Sequence, residues 1–345
     1  MLETTIVGSL PKPAWLADPS APLRAPWRLE GDDLREAQND AVRLALLDQE
    51  EAGLDVVCDG EMRRRHYIWG FLQGLTNIDT EKLGQRKGYR GARYSESAQV
   101  PRITGEVAHP APVFLEAVQY ARARTTKTLK VTLPGPMTIW DSTMDEHYGW
   151  DEKAMALHFA AIVNAEALAL QATGADVIQF DEPTFNIYTD KVADWGVEVL
   201  ERAMQGVTVK KCVHICYGYG VEGVLAWKTQ NTEWGHYGIT LPLLAQSSID
   251  QVSVECAASG VDVSVLAALE GKDVLLGIID VGTEQVESPD LVADRIRAAM
   301  PYVSPEHLYP CTDCGLVPRS RAAALGKMRA LAAGAAIVRR EQSGG

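Results

Sequence analysis

Short apolar runs rich in β-branched residues recur along this chain and alternate with longer stretches of helical periodicity. This alternation is typical of strand–helix units that build a parallel sheet. One helix is expected after Ser288 and Pro289, because serine is favoured at the cap of a helix and proline in its first turn. There are eight such runs, at residues 4–7, 55–58, 129–133, 176–180, 212–215, 251–254, 274–279 and 307–310.

Eight strands that each lead into a helix predict an α/β protein of the (β/α)8 class, a TIM barrel. Such a barrel needs about 250 residues, and the chain has 345. We therefore expect a single barrel domain over residues 1–345, with an N-terminal extension and an insertion at residues 77–107, after the second strand region. An open, doubly wound sheet is the alternative. Its dinucleotide-binding form is disfavoured because no G-x-G-x-x-G follows the first strand.

The composition argues against several classes of partner. The chain carries 33 Lys and Arg against 46 Asp and Glu, a formal net charge of −13, so charge does not favour nucleic acid or anionic lipid. No run approaches the ~18 consecutive apolar residues of a membrane span, and the first residues do not resemble a signal peptide. We expect a cytoplasmic protein with no nucleic-acid or membrane partner.

Metal-binding side chains follow several predicted strands, on the face where barrels of this type keep their active sites. His214 and Cys216 are two positions apart, so on a strand both side chains point the same way and one ion can bind both. Glu255 follows the next strand and Cys314 follows the last. These four residues offer the nitrogen, oxygen and sulfur donors of a tetrahedral Zn²⁺ site. The alternative is a hydrogen-bonded core histidine among packing cysteines.

Two carboxylates, Glu61 and Asp181, come directly after predicted strands. At the mouth of a barrel such a pair suits a cation, for instance the ammonium group of a substrate. The alternative is an ion pair with a neighbouring arginine such as Arg63 or Arg64. A further thiol, Cys311, stays a candidate redox neighbour of the late cysteine.

The motifs also occur in a characteristic order: Val-Gly-Ser-Leu-Pro at 7–11, Asp-Gly-Glu at 59–61, Pro-Gly-Pro-Met-Thr at 134–138, Asp-Glu-Pro at 181–183, His-Ile-Cys-Tyr-Gly at 214–218 and Asp-Cys-Gly-Leu at 313–316. In this order they resemble the catalytic half of the cobalamin-independent methionine synthase family, and more closely its short, single-barrel members. The resemblance extends along nearly the whole chain. Its most specific parts are His-x-Cys-Tyr and the late Asp-Cys-Gly-Leu.

The resemblance implies an enzyme that forms methionine by moving a methyl group onto the sulfur of homocysteine. A zinc-bound thiolate would attack the methyl carbon. Glu255 is the hardest donor of the expected site and is therefore the ligand expected to leave when substrate binds. By this resemblance the zinc ligands are His214, Cys216, Glu255 and Cys314, the residues that hold the amino acid are Ser9, Glu61 and Asp181, and Glu61 and Asp181 are the carboxylates of the catalytic site.

The chain departs from the family where the methyl donor binds. In the large enzymes a tryptophan follows the Gly-Pro-x-Thr segment by four residues, whereas here Ser142 stands at that place and Trp140 lies two positions earlier. Gly282 stands where the family has a histidine after the seventh-strand aspartate. These departures disfavour simple methyltetrahydrofolate. The donors that stay open are folate, a methylated corrinoid protein and a donor generated by a partner protein.

Three other functions are also open at this stage. The same zinc site could transfer a methyl or alkyl group to another thiol. A metal-free lyase similar to uroporphyrinogen decarboxylase would keep working after chelation. A non-catalytic zinc- or partner-binding protein would show no change at the metal when a thiol is added.

Overall fold

The computed structural model describes residues 1–21, 26–89, 96–219, 228 and 235–344. Seven of its strands form one parallel sheet in the order β1-β4-β6-β7-β8-β9-β10, and β2, β3 and β5 form a second sheet. The fold is therefore α/β. Its strands are β1 Val56–Val57, β2 Ile78–Lys87, β3 Ser97–Ile103, β4 Thr128–Pro134, β5 Met144–Asp145, β6 Val177–Asp181, β7 Lys210–Ile215, β8 Gln251–Glu255, β9 Asp273–Ile279 and β10 Leu308–Thr312.

Helices follow most strands of the large sheet, and their ends carry the expected signals. Ser288 accepts a hydrogen bond from the Leu291 amide, with Pro289 at the first helical position. Asp151 caps another helix through the Ala154 amide. The helices are α1 Gly31–Ala52, α2 Trp69–Leu72, α3 Leu115–Arg122, α4 Pro136–Asp141, α5 Glu152–Ala172, α6 Thr189–Lys191, α7 Val197–Met204, α8 Tyr237–Ala245, α9 Pro289–Ala299 and α10 Arg321–Ser343.

The first predicted strand, residues 4–7, is extended but forms no regular ladder. Its carbonyl at Thr4 accepts hydrogen bonds from Asp55 and Val56 beside β1, and the Thr5 amide donates to Pro310 of β10. The segment thus contacts both edges of the curled sheet. A ladder is missing because side chains bind its backbone groups instead: Thr312 accepts from the Val7 amide, Lys130 donates to the Ile6 carbonyl, and Gln179 donates to the Val7 carbonyl.

Residues 77–107 contain the antiparallel pair β2 and β3, and β3 also pairs with the short β5. Arg86 of β2 reaches the large sheet's helical layer, where its guanidinium donates to the Trp140 carbonyl at 3.0 Å. The small sheet therefore lies outside the large sheet, and Arg86 joins it to helix α4.

Among the described residues, α5 is the one helix long and apolar enough to cross a membrane by length and composition. It packs against α4 and α7, and 56% of its most apolar window is buried inside the protein. This burial is what a core helix shows, so its composition is explained by packing.

Candidate metal and substrate site

The structure brings three of the predicted metal ligands together. The side-chain donor atoms of His214, Cys216 and Cys314 all lie within 4.8 Å of one another. His214 and Cys216 stand at the end of β7, two positions apart as the strand geometry requires, and Cys314 follows β10. Because the carboxyl ends of parallel strands share one edge, curling of the sheet places distant strand ends side by side.

The imidazole of His214 is oriented for a ligand. Its Nδ1 lies 2.8 Å from the hydroxyl of Ser253, which is its register partner on β8. Its Nε2 is buried and has no hydrogen-bond partner among the described residues. A buried ring nitrogen without a partner is costly unless something binds it. Together with two thiols, this nitrogen fits Zn²⁺, which accepts nitrogen and sulfur ligands and whose histidine ligands are held through the other ring nitrogen.

The contact between the two thiols changes their pKa values in opposite directions. Their sulfur atoms are 3.9 Å apart. The hydrogen bond from Cys314 is the largest cause that lowers the pKa of Cys216 well below its ordinary value; burial opposes this effect, and the nearby His214 and Lys228 add to it. The same hydrogen bond, together with burial, raises the pKa of Cys314. The contact therefore favours the thiolate form of Cys216, and thiolate is the metal-binding form of cysteine.

Glu255, the fourth predicted ligand, lies outside this group of three. It ends β8 and is fully buried. Its Oε1 accepts hydrogen bonds from Lys228 Nζ at 2.6 Å and from the Tyr219 hydroxyl at 3.1 Å, and its Oε2 accepts one from the Tyr217 amide at 3.0 Å. The carboxylate is thus held by protein groups next to the cluster.

The two carboxylates that the sequence predicts to bind substrate are both buried at strand ends. Glu61 follows β1 and accepts a hydrogen bond from the Thr132 hydroxyl at 2.9 Å, and Asp181 ends β6 and accepts one from Gln179 at 2.8 Å. Burial raises the pKa of Asp181 to about 7 despite the opposing charge of His214, and the Glu61 carboxylate adds to the rise. A buried carboxyl whose pKa is raised by a second carboxylate lies close to a like charge, and such a place suits a cation.

Neither neighbouring arginine forms a close ion pair with these carboxylates. Arg63 pairs with Glu116 at 3.1 Å, away from the site. Arg64 is buried, but its NH1 lies 3.9 Å from Glu61 Oε1 and instead donates to the Thr132 carbonyl at 2.8 Å. The charge of Glu61 is therefore only partly paired.

Ser9 lies beside the last strand end. Its carbonyl accepts a hydrogen bond from the Leu316 amide at 2.7 Å. A Cβ added at Gly315 would lie 1.9 Å from the Ser9 hydroxyl, so only glycine allows this approach. The first segment of the chain is thereby held next to Cys314, and the predicted substrate residues adjoin the candidate metal ligands.

Sequence reasoning missed Lys228, Tyr219 and the role of Asp313. Asp313 accepts hydrogen bonds from the Ala257 and Ala258 amides at 3.0 and 2.7 Å and from the Tyr219 hydroxyl at 3.1 Å. Burial, reinforced by the nearby Glu255 carboxylate, raises its pKa to about 8. Its place in Asp-Cys-Gly-Leu was a usable signal. Lys228 has no comparable motif.

The other cysteines do not join the cluster. Cys256 is buried in the hydrophobic core, and its thiol lies 3.9 Å from the Val254 carbonyl. Cys311 packs with Cys212 and Val7 inside the sheet. Burial raises the pKa of Cys311 to about 11, which disfavours the reactive thiolate form.

On the donor side, the aromatic residue closest to the Gly-Pro-x-Thr segment is covered by its own neighbours. The Trp140 ring has Tyr188 and Trp195 at its edges, with ring centroids 5.5 and 5.6 Å away. The guanidinium of Arg86 lies 4.9 Å above it. Ser142 is buried at the end of α4. Trp140 itself is buried and therefore offers no open ring face to a flat ligand.

Comparison with known proteins places the chain in one family. The model of the family described as "Cobalamin-independent synthase, Catalytic domain" matches residues 2–336. A methionine synthase from Sulfolobus acidocaldarius is 31% identical over 342 residues, covering 99% of this chain and 93% of the relative. One from Thermococcus kodakarensis is 32% identical, covering 99% and 94%.

Solved structures agree with this assignment. A B12-independent methionine synthase from Shewanella sp. W3-18-1, in complex with selenomethionine, is 44% identical, with a TM-score of 0.95 over 100% of this chain and 99% of that one. A methyltransferase from Methanosarcina mazei, 15% identical with a TM-score of 0.61 over 98% and 94% of the two chains, shares the fold.

Proposed function

Because this chain belongs to the cobalamin-independent methionine synthase family and is a methyltransferase, we propose that it forms methionine by zinc-dependent methyl transfer to homocysteine. The observation that carries the proposal is the cluster of His214, Cys216 and Cys314, in which a buried imidazole nitrogen without a hydrogen-bond partner faces two thiols. We infer a cytoplasmic biosynthetic enzyme.

His214, Cys216 and Cys314 would hold the zinc ion, and Glu255 beside them would be the fourth protein ligand. Zinc bound there would supply acidification of the substrate thiol, so that its sulfur reacts as a thiolate at neutral pH. Ser253 fixes the imidazole ring through Nδ1, which would leave Nε2 to bind the ion.

Ser9, Glu61 and Asp181 would bind the amino acid part of homocysteine. The two buried carboxylates suit its ammonium group, and the Ser9 hydroxyl suits its carboxylate. Fixing both ends of the amino acid orients the sulfur for attack in line with the methyl group, which is where Glu61 and Asp181 would contribute to catalysis. The Shewanella relative was solved with selenomethionine, an analogue of the proposed product.

For the methyl donor, we propose a carrier other than simple methyltetrahydrofolate. The Trp140 ring is occupied by Arg86, Tyr188 and Trp195, and Gly282 offers no proton to a leaving nitrogen. A methylated corrinoid protein and a donor generated by a partner protein both deliver a methyl group without a stacked pterin. Methyl transfer from methyltetrahydrofolate would contradict this proposal for the donor.

We further propose that residues 4–7 close the parallel sheet into a (β/α)8 barrel that spans residues 1–345, with residues 77–107 inserted after its second strand region. The hydrogen bonds from Thr4 and Thr5 to the two edges of the sheet support this closure. A closed barrel explains why side chains from opposite strand ends share one site.

X-ray absorption at the zinc edge, with and without L-homocysteine, tests the function. We expect the ion to gain one sulfur ligand and lose one oxygen ligand. An unchanged first shell would contradict homocysteine activation and favour a binding protein. Activity that survives complete chelation would favour the metal-free lyase, and exchange with other thiols in preference to homocysteine would indicate a different acceptor.

An assay for labelled methionine tests the donor. Purified enzyme receives homocysteine with methyltetrahydrofolate, then methylcobalamin, then cell extract. We expect product with one of the last two, and product with methyltetrahydrofolate alone would overturn the donor proposal.

A further inference from the structure

Lys228 and Glu255 form a buried ion pair directly beside the candidate metal cluster. Lys228 Nζ lies 2.6 Å from Glu255 Oε1, with the two side chains 5% and 0% exposed. The ammonium also sits 3.2 Å from the centroid of the Tyr219 ring, whose hydroxyl donates to the same Oε1. Glu255 therefore has a complete set of protein partners in the absence of any bond to a metal ion.

We propose that Lys228 is a positioning residue that receives the Glu255 carboxylate when the thiol of homocysteine takes its place at the zinc ion. This inference rests on the proposed function and deepens it. A buried carboxylate without a cation partner is strongly unfavourable. Glu255 can therefore leave a metal ion at low cost only where a second cation lies close by. The ammonium group of Lys228 is that cation.

The balance of charge supports this role. Two cysteine thiolates and a carboxylate already exceed the charge of a divalent ion. Homocysteine binds as one more thiolate and releases its proton to solvent, so the enclosed site would become more anionic. The Lys228 ammonium offsets part of that charge at the point where the displaced carboxylate lies.

Donors from the segment after Cys216 hold the Glu255 carboxylate beside the candidate metal ligands. The Tyr217 amide holds Oε2 at 3.0 Å, and the Tyr219 hydroxyl, which also donates toward Asp313 Oδ2 at 3.1 Å, approaches Oε1. These donors belong to the segment that follows β7, and Cys216 directly precedes Tyr217 in the chain. Exchange of Glu255 between zinc and Lys228 is therefore local and leaves the strand intact.

Two variants test the proposal. Lys228→Met keeps most of the length of the side chain without its charge, and Lys228→Arg keeps the charge. Lys210→Met is the matched control, because Lys210 Nζ also lies 2.6 Å from a carboxylate, that of Asp273, at the opposite end of the strands. The measurements are the zinc dissociation constant by competition with a chelator, the dissociation constant of L-homocysteine for the zinc-loaded enzyme, and thermal unfolding as a check of folding.

For Lys228→Met we expect zinc to bind roughly tenfold more tightly or better, since Glu255 has lost its competing partner, and homocysteine to bind roughly tenfold more weakly. Lys228→Arg should restore both affinities, and Lys210→Met should change neither. A purely structural role would weaken both affinities together. That outcome, or unchanged affinities in Lys228→Met, would overturn the proposal.

Failure of the proposed function gives a different result. In that case the wild-type, zinc-loaded enzyme binds no homocysteine and gains no sulfur ligand. The measurement of zinc affinity requires no substrate. It therefore still tests whether Lys228 competes with the ion for the Glu255 carboxylate.

Discussion

The sulfur atoms of Cys216 and Cys314 lie 3.9 Å apart although 98 positions separate the two residues in the chain. The contact joins the end of β7 to the segment after β10, and it exists because parallel strands of a curled sheet end at one rim. The contact between them changes the pKa of both thiols.

Serine substitution of either thiol should remove the metal. For Cys216→Ser and Cys314→Ser we expect loss of stoichiometric zinc and a fall in methyl transfer of about 100-fold or more, because an alcohol binds zinc as a neutral ligand where the thiolate binds as an anion. Metal analysis after dialysis and a product assay measure this. Cys311→Ser is the control and should retain zinc, since Cys311 packs inside the sheet. Retention of zinc by both site variants would refute the ligand assignment.

Removal of the Ser253 hydroxyl should weaken metal binding without removing a ligand. The Ser253 oxygen lies 2.8 Å from His214 Nδ1 and fixes the ring. We expect Ser253→Ala to lower zinc affinity by about 10- to 100-fold, the usual effect of losing a partner of a metal-binding histidine. Chelator competition measures it. Ser247→Ala, whose hydroxyl binds the Leu244 carbonyl, should leave zinc affinity unchanged.

Enlargement of Gly315 should affect substrate more than metal. A Cβ at this position would lie 1.9 Å from the Ser9 hydroxyl, so Gly315→Ala must displace Ser9. We expect a KM for homocysteine raised by about tenfold, near the value of one hydrogen bond to a charged group, with zinc content retained. Gly238→Ala serves as the control, because a Cβ there meets nothing within 4 Å. An unchanged KM would show that Ser9 does not contact the substrate.

Substitution of Glu61 by glutamine should weaken recognition of the substrate ammonium group. We expect Glu61→Gln to raise the KM for homocysteine by about tenfold or more, with zinc content unchanged. The readout that isolates the ammonium is 4-mercaptobutanoate, which is homocysteine without its amino group. The variant and the wild type should use it equally, and a larger loss with this compound than with homocysteine would contradict the assignment.

Asp55 should make stability depend on pH in the acid range. Burial favours its protonated form, but hydrogen bonds from Thr4 and Arg339 outweigh burial and lower the pKa of Asp55. A carboxylate with a lowered pKa stabilises the fold above its unfolded pKa of about 3.9, and that stabilisation is lost as the pH falls through the folded value.

We expect Asp55→Asn to reduce the free energy of unfolding at pH 7 by about 1–3 kcal/mol, and the difference from wild type to shrink as the pH falls below about 4. Urea unfolding at a series of pH values measures it. Asp18→Asn, in an exposed turn where Ser20 is the local partner, should show no comparable loss. A difference that grows toward acid pH would contradict the mechanism.

Much of the fold and half of the site could be predicted from local features. Seven of the eight predicted strand runs coincide with strands of the parallel sheet, because alternation of apolar runs and helical periods is a property of short segments. The His-x-Cys spacing placed His214 and Cys216 together for the same reason. The eighth run, residues 4–7, forms no ladder, because Lys130, Gln179 and Thr312 bind its backbone groups, and no local pattern reports contacts at such separations.

The partners of Glu255 show where local reasoning ends. Its position after a strand was visible in the chain, and so was its carboxylate chemistry. Packing between separate elements gives Glu255 its ion pair with Lys228, its hydrogen bond from Tyr219 and its place beside the three clustered donors. Residue types and their spacing along a strand are local and can be read in order, whereas the charge that a buried group faces depends on which distant segment the folded chain brings against it.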